Sequence, residues 1–504
     1  MNRGKKALLN SIVSILTQIV SMVCAFILPR LILSAFGSSY NGITASIAQF
    51  LSVIALLRAG VGGATRAALY RSLADHDIRQ TSATIRATEI YMKKVALIFL
   101  GIVLIFSVMY PFLVREEFEW WFSASLVLII SLSTFAQYYF GVTYQMLFQA
   151  DQRQYITSIV TAAATMLNTI LAVILIRCGV GIHGVKLGSA VAFSITPIAL
   201  NILAKRKYKL IRNVEPDFSS IKQRWDAFFH QLAGFIHNNT DIALLTVFSN
   251  TKEISVYTVY YLVANGLKSI MSTLVVGVES AFGNMLAKDE KETLRDNVIN
   301  YETMLHVFSS VLFGAAIILV TPFVQVYTRG VRDVDYSRYL FGYLVIVGEM
   351  LFVLRSPYEA LVNAAGHFKQ TKKYAFIEAG INLAISISAV GRYGLIGVVI
   401  GTVVAIAYRN IVYSRYTSSK IIQRKFASVA LRFGVTGFTV IVIFLLSRLL
   451  PVRKMNDYFD WFVYAIEVTA VSTGVTVLVN IVFYKENVRK MMNKLLGILR
   501  RSKG

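Results

Sequence analysis

Arginines inside apolar stretches are the residues of this sequence most suited to chemistry. Arg30 follows Pro29 near the end of the first apolar run, and Arg58 stands before AGVGGA at the end of the second. An ionised guanidinium at membrane depth costs at least about 2.5–3.5 kcal/mol, so it faces a partner, a cavity or water and not lipid. Two of them on adjacent helices define a candidate anion site, because the planar fork binds phosphate bidentately. The alternatives are a side chain snorkelling to the headgroups for Arg30 and an inner-surface residue for Arg58.

The seventh apolar stretch, FHQLAGFIHNNTDIALL, is the most polar of the set. Spacings of seven and four put His230, His237 and Asp241 on one helix face. A buried carboxylate beside an amide and a histidine can bind a sodium ion or carry a proton, which makes Asp241 and His237 ion-coupling candidates. The alternative is that Asp241 neutralises a cation such as Lys268 or Arg30. Glu279, eleven residues after Lys268 and expected on the same face, is a second coupling candidate. In the tenth stretch Arg355 and Glu359 have the four-residue spacing of an intrahelical pair, with Glu349 six residues before them. These three are read as a structural pair or as a gate. No HExxH, clustered Cys/His or GxxxxGK[ST] pattern occurs, so neither a metal centre nor ATP hydrolysis is expected. The only cofactor expected is a coupling Na+ or H+.

These residues need helices long enough to hold them at depth. Of the 504 residues 56% are hydrophobic and 15% charged, and the mean hydropathy is +0.60. A soluble chain of this length would need far more polar surface, so an all-α polytopic membrane protein is expected. At about 20 residues per span the sequence divides into about fourteen apolar segments. They lie near 8–33, 41–60, 91–114, 120–148, 155–177, 182–203, 226–248, 254–282, 303–326, 339–364, 373–391, 393–414, 427–450 and 459–483. The first is too long for a cleavable signal and reads as a spanning helix.

The net charge of +24 does not point to nucleic acid, because the basic residues are spread between apolar runs. With the N-terminus cytoplasmic, most of the 51 Lys and Arg fall on the inner side, including the stretch Arg66 to Lys94 and the run Lys205 to Arg224. The positive-inside rule therefore places both termini in the cytoplasm. Cys24 and Cys178 lie in apolar runs and imply no disulfide framework. No outer loop is long enough for a catalytic domain, which argues against an enzyme such as a polymerase or glycosyltransferase.

The sequence also repeats. A polar turn, a helix with a mid-span Asn (Asn168, Asn382) and a glycine ladder recur, the ladder as Gly181, Gly184, Gly188 and again as Gly394, Gly397, Gly401. Small residues at this spacing let helices pack closely. Two copies at one offset imply two six-helix lobes, 1–210 and 211–425, with substrate held between them. Helices thirteen and fourteen (426–484) follow, with Arg432 and Glu467 expected to pair with each other or with a headgroup. A basic amphipathic tail (485–504) is expected on the inner leaflet.

This layout, the first-helix ending LPRLILSAFGSSYNGI and the tenth-helix sequence LRSPYEALVNAAGHFKQT together resemble bacterial polysaccharide flippases of the multidrug/oligosaccharidyl-lipid/polysaccharide exporter superfamily. The resemblance covers essentially the full length. It implies alternating access in the bacterial cytoplasmic membrane, an electropositive cavity and an undecaprenyl-diphosphate-linked oligosaccharide as cargo. It also implies membrane lipids, and polysaccharide polymerase and glycosyltransferases, as partners. In the related lipid II flippases cavity arginines occur on the first, second and eighth helices. The matching positions are Arg30, Arg58 and Lys268, where lysine keeps the charge but loses the fork. A multidrug exporter of the same superfamily is the alternative. Its usual twelve helices and acidic cavity fit this chain less well.

Overall fold

The computed structural model describes residues 3–52, 54–211, 213–221, 239–275, 278–450 and 455–501. Side-chain surroundings are described for these except 3–8, 55–60, 220–221, 273–274 and 485–501. Apart from turns and loops, the described chain is helical. The order is α1 (Arg3–Phe36), α2 (Ser38–Leu51), α3 (Ile54–Ala74), α4 (Ile78–Leu113), α5 (Trp120–Ala136), a π-helical turn (Gln137–Gly141), α6 (Val142–Ala150), α7 (Gln154–Arg177) and α8 (Ile182–Lys207). Then come α9 (Asn239–Phe248), α10 (Thr251–Val275), α11 (Val278–Ala287), α12 (Lys291–Tyr327), α13 (Tyr339–Leu354), α14 (Ser356–Ala364), α15 (Phe368–Tyr393), α16 (Leu395–Lys420), α17 (Phe426–Ser447) and α18 (Tyr458–Arg501). Among the described residues eleven spans are long and apolar enough to cross a membrane, and the chain is a multi-pass membrane protein.

Several expected single helices are broken. The second segment is α2 followed by α3, the fourth is α5 and α6 joined through the π turn, and the tenth is α13 and α14 with Arg355 at the junction. The eighth is described as α10, which carries Lys268, and α11, which carries Glu279, with 276–277 between them outside the described residues. The expected loop from Arg66 to Lys94 shrinks to residues 75–77, because α3 and α4 extend past their apolar windows. The Asp77 carboxylate accepts from the Gln80 amide at 2.8 Å and starts α4 there. In the C-terminal stretch the backbone leaves helical geometry at Tyr484, and helix resumes through Arg501.

Two compact units are present. One gathers 1–258 with 330–334, and the other 259–329 with 335–504. The first has its core between α2, α3, α4 and α5, around Ile43, Ile47, Phe99, Tyr110 and Val127. In the second, α12 is the spine. Its most apolar window is 61% buried against 6% for α1, whose Ile12, Ile15 and Leu16 are exposed as lipid-facing residues are.

The repeat reaches well beyond the glycine ladder. Helices α2 and α10 start at 38 and 251, α4 and α12 at 78 and 291, α7 and α15 at 154 and 368, and α8 and α16 at 182 and 395. Even the turns correspond. His76 and Asp289 both have φ 54°, and Gln152 and Gly366 have φ 57° and 67°. The second and third glycines of each ladder serve packing, whereas a Cβ at Gly181 or Gly394 would meet nothing within 4 Å. A Cβ at Gly188 would stand 2.7 Å from Leu175 Cδ1, and one at Gly397 would stand 2.5 Å from the Ala389 carbonyl oxygen. Asn382 donates to Thr402 Oγ1 across the α15/α16 hairpin at 2.8 Å.

Because backbone cannot yield as a flexible side chain does, Gly397→Ala is expected to destabilise the α15/α16 hairpin by about 1–3 kcal/mol. Gly380→Ala in the same hairpin, where nothing lies within 4 Å of the new methyl, is expected to be neutral or stabilising by up to about 1 kcal/mol. Thermal unfolding of the two variants in one detergent checks the opposite signs.

Candidate functional site

In the second unit the charged residues of four membrane helices form one chain of contacts. Lys268 on α10 lies 3.3 Å from Glu349 on α13, with its ammonium 3.7 Å from the Phe352 ring centroid. Arg355 also packs against that ring, its guanidinium carbon 4.5 Å from the centroid. Arg355 reaches Glu359 at 3.5 Å, as their spacing predicts, and Glu378 on α15 at 2.8 Å. Glu378 also takes Arg409 of α16 at 2.6 Å, and Arg409 donates to the Tyr413 hydroxyl at 2.6 Å. Three cations therefore meet three carboxylates, which is the condition for keeping them at depth.

Access within this network is uneven. The Glu378 side chain is 4% exposed, whereas Lys268 is 28% and Glu359 43% exposed. The buried middle holds α13, α15 and α16 together, and the ends are partly accessible. Lys268 lies about 25 Å along α10 from Thr251, and Arg355 follows α13 at a comparable distance from Tyr339. Glu279 is exposed on α11 and accepts from Asn363 Nδ2 at 3.1 Å.

In the first unit Asp241 is buried and accepts from the Tyr257 hydroxyl at 2.9 Å. Asn239 Oδ1 accepts from Gln49 Nε2 and from Ser52 Oγ, so the polar start of α9 is tied to the end of α2. Ser46 and Thr246 hydroxyls meet at 2.7 Å. Arg30 is half-buried on α1, about 9 Å from its Phe36 end. Arg58 is carried on α3, but its side chain lies outside the described residues, as do His230 and His237 altogether.

The same unit contains two helix starts capped by distant carboxylates. Gly37, at φ 89°, brings no side-chain cap to α2. Asp333 supplies one, accepting from Ser38 N and Ser38 Oγ at 2.7 Å each. The start of α10 is capped by Glu117, which accepts from Thr251 N at 2.8 Å and from Thr251 Oγ1. Ser38 and Thr251 are equivalent in the repeat, and Glu117 and Asp333 lie in equivalent turns. Each copy thus lends its carboxylate to the other copy's helix. Gly42 allows the close approach that this requires, since a Cβ there would overlap the Thr251 carbonyl, and Asn41 Nδ2 donates to Ser255 Oγ at 2.8 Å.

The structure brings Lys268, Glu349, Arg355 and Glu359 together and adds Glu378 and Arg409, which the sequence reading passed over. The signal available was an ionisable residue inside each of two apolar spans. Arg432 has a different partner from the one expected. It donates to Glu302 Oε2 at 3.2 Å, and Arg424 holds the same carboxylate, so α17 is fastened to α12. Lys186 on α8 was also passed over and has no ion pair among the described residues.

No family model and no curated relative matches the sequence. Solved structures do. The lipid II flippase MurJ in an inward closed conformation superposes with TM-score 0.73 at 15% identity, over 95% of this chain and 100% of that one. An inward-facing MATE family multidrug resistance transporter of the MOP superfamily gives 0.59 at 15% identity, over 79% and 95%. The eukaryotic MATE transporter AtDTX14 gives 0.55 at 14% identity, over 86% and 99%. At these identities the likeness is one of fold, and this chain has the fold that the flippase and the exporters share.

Glu378→Leu leaves two arginines uncompensated and is expected to cost about 3–5 kcal/mol of stability, most of it recovered when Arg409→Leu is added. Unfolding of the single and double variants in detergent checks this. Asp333→Ala is expected to remove about 1 kcal/mol of capping from α2. Amide exchange over Ser38–Asn41, about fivefold faster in the variant, is the readout.

Proposed function

We propose that this protein flips undecaprenyl-diphosphate-linked oligosaccharide repeat units from the inner to the outer leaflet of the bacterial cytoplasmic membrane, for cell-surface polysaccharide synthesis. The observation that carries this reading is Lys268. It is an accessible cation at membrane depth whose carboxylate partner, Glu349, is released if a phosphate takes its place. Exchange of one anion for another keeps the ammonium paired throughout, so the diphosphate enters without exposing a bare charge to hydrocarbon. The freed Glu349 then has to be neutralised, which provides a place for a proton or sodium ion to couple. Arg30 and Arg58 are proposed as further diphosphate-binding residues.

Asp241, His237 and Glu279 remain proposed coupling groups, with the Tyr257 hydroxyl holding Asp241 in place. The exchanged caps at Ser38 and Thr251 are proposed as the outer latch, with both termini cytoplasmic. Glu349, Arg355 and Glu359 are proposed to sense which face is open. Agreement with the lipid II flippase fold over 95% of this chain favours a lipid-linked cargo. The polymerase and glycosyltransferases of the same pathway are proposed partners. Buried Asp241 and the likeness to drug exporters favour a second reading, export of cationic drugs.

In proteoliposomes carrying an undecaprenyl-diphosphate-linked glycan, Lys268→Ala is expected to lower outer-leaflet arrival by about 10- to 100-fold, the worth of one charged hydrogen bond. Lys268→Arg is expected to retain transport, and Arg30→Ala and Arg58→Ala to lose it. Normal flipping by Lys268→Ala would remove the phosphate-exchange role. Efflux of a cationic dye by a wild type that moves no glycan would establish the second reading.

A further inference from the structure

A basic cavity lies within the first unit. Its volume is about 800 Å³, and it is enclosed by α4, the π turn with α6, the end of α8 and the segment that follows α8. Arg86 and Lys93 line it from α4, seven residues and about 10 Å apart on one helix face. Lys205 and Lys209 line it from the other side, and neither has an ion-pair partner among the described residues. The one carboxylate in the wall, Glu89, is engaged by the Tyr144 hydroxyl at 2.5 Å. The lining therefore carries an excess of positive charge, three lysines and Arg86 against one carboxylate.

The cavity is built and not a surface accident. Its wall includes Tyr139 and Phe140 from the π turn, a backbone irregularity that recurs at functional sites. Asn201 Nδ2 bonds the Phe140 carbonyl at 3.5 Å, and Lys93 stands 5.3 Å from the Tyr139 ring centroid. The floor is strapped in place. Tyr208 Oη donates to Asp151 at 2.6 Å, Ile211 N donates to Ser82 Oγ at 3.0 Å, and Asp217 N donates to the Ala83 carbonyl at 3.2 Å. Burial and then the Asp151 contact hold the Tyr208 hydroxyl well above its ordinary range, so it stays a donor. Beside the mouth, Leu97, Ile98, Ile198 and Ile202 are exposed on α4 and α8. A basic chamber next to an apolar outer wall at the end of the spans matches an amphiphile with an anionic head.

We infer that this cavity binds the phosphate headgroup of an anionic glycerophospholipid of the inner leaflet, with its acyl chains against α4 and α8. Basic pockets between membrane helices on the cytoplasmic side take doubly charged headgroups in this way. The leaflet rests on the orientation proposed above, whereas the binding does not depend on the transported cargo. A bound headgroup bridges α4 to Lys209 and so braces the segment leading from α8 toward the second half of the chain.

The test is native mass spectrometry of the full chain from nanodiscs containing cardiolipin, phosphatidylglycerol or phosphatidylcholine. Wild type is expected to retain one cardiolipin, with phosphatidylglycerol retained less and phosphatidylcholine not at all. A Lys93→Gln/Lys205→Gln/Lys209→Gln variant is expected to lose about 100-fold in cardiolipin affinity, at about one tenfold step or less per charge. Lys369→Gln/Lys372→Gln/Lys373→Gln, which removes equal charge elsewhere, serves as the control and is expected to bind as wild type. Equal retention by both triple variants would overturn the site. Displacement of cardiolipin by inorganic phosphate at millimolar concentration would overturn the lipid assignment in favour of a free-phosphate site. Glycan flipping plays no part in the readout, so failure here is separable from failure of the flippase reading.

Discussion

An ionised side chain within a bilayer has to be paired, and that requirement decides which helices of this protein touch. Glu378 is held between Arg355 and Arg409, and Glu302 between Arg424 and Arg432. Each carboxylate thereby joins three different pieces of chain. Hydrophobic burial does not distinguish one lipid-soluble helix partner from another, because lipid tails are as apolar as leucine. Charge does distinguish them. One cluster fastens α13, α15 and α16 and the other α12 and α17, with Lys268 at the more accessible margin of the first.

The same economy governs the helix ends. Breaks between α2 and α3, α5 and α6, and α13 and α14 free backbone groups that must find new partners. Asn410 Nδ2 donates to the Leu351 carbonyl at 2.9 Å, one turn before the break at Arg355. Asp333 and Glu117 do the equivalent work for the starts of α2 and α10. Each repeat's carboxylate caps a helix of the other repeat, so the two caps are reciprocal.

The first unit divides its cations between purposes. Arg30 stands on a membrane helix near the exchanged caps, whereas Arg86, Lys93, Lys205 and Lys209 surround a chamber at the opposite, basic end. Such clustering would be costly without an anion, since like charges within a Debye length repel. Tyr208, Ile211 and Asp217 spend specific hydrogen bonds on a segment that composition alone marks as a loop. That investment is what distinguishes a binding chamber from a generic basic face.

Hydropathy by itself determined that the chain is all-helical and crosses a membrane many times, because about 20 apolar residues have no other stable state in lipid. The glycine ladders showed the repeat, and the four-residue spacing of Arg355 and Glu359 showed their contact, since both lie within one turn of local chain. Tertiary structure alone decided that Lys268 meets Glu349, that Arg432 meets Glu302 and not Glu467, and that Glu378 stands between two arginines. Each residue turns a helix by about 100°, so which side chains of two helices face each other depends on how those helices are rotated in the packed fold. Local spacing sets what a helix is, whereas the rotation of one helix against another sets which charges meet.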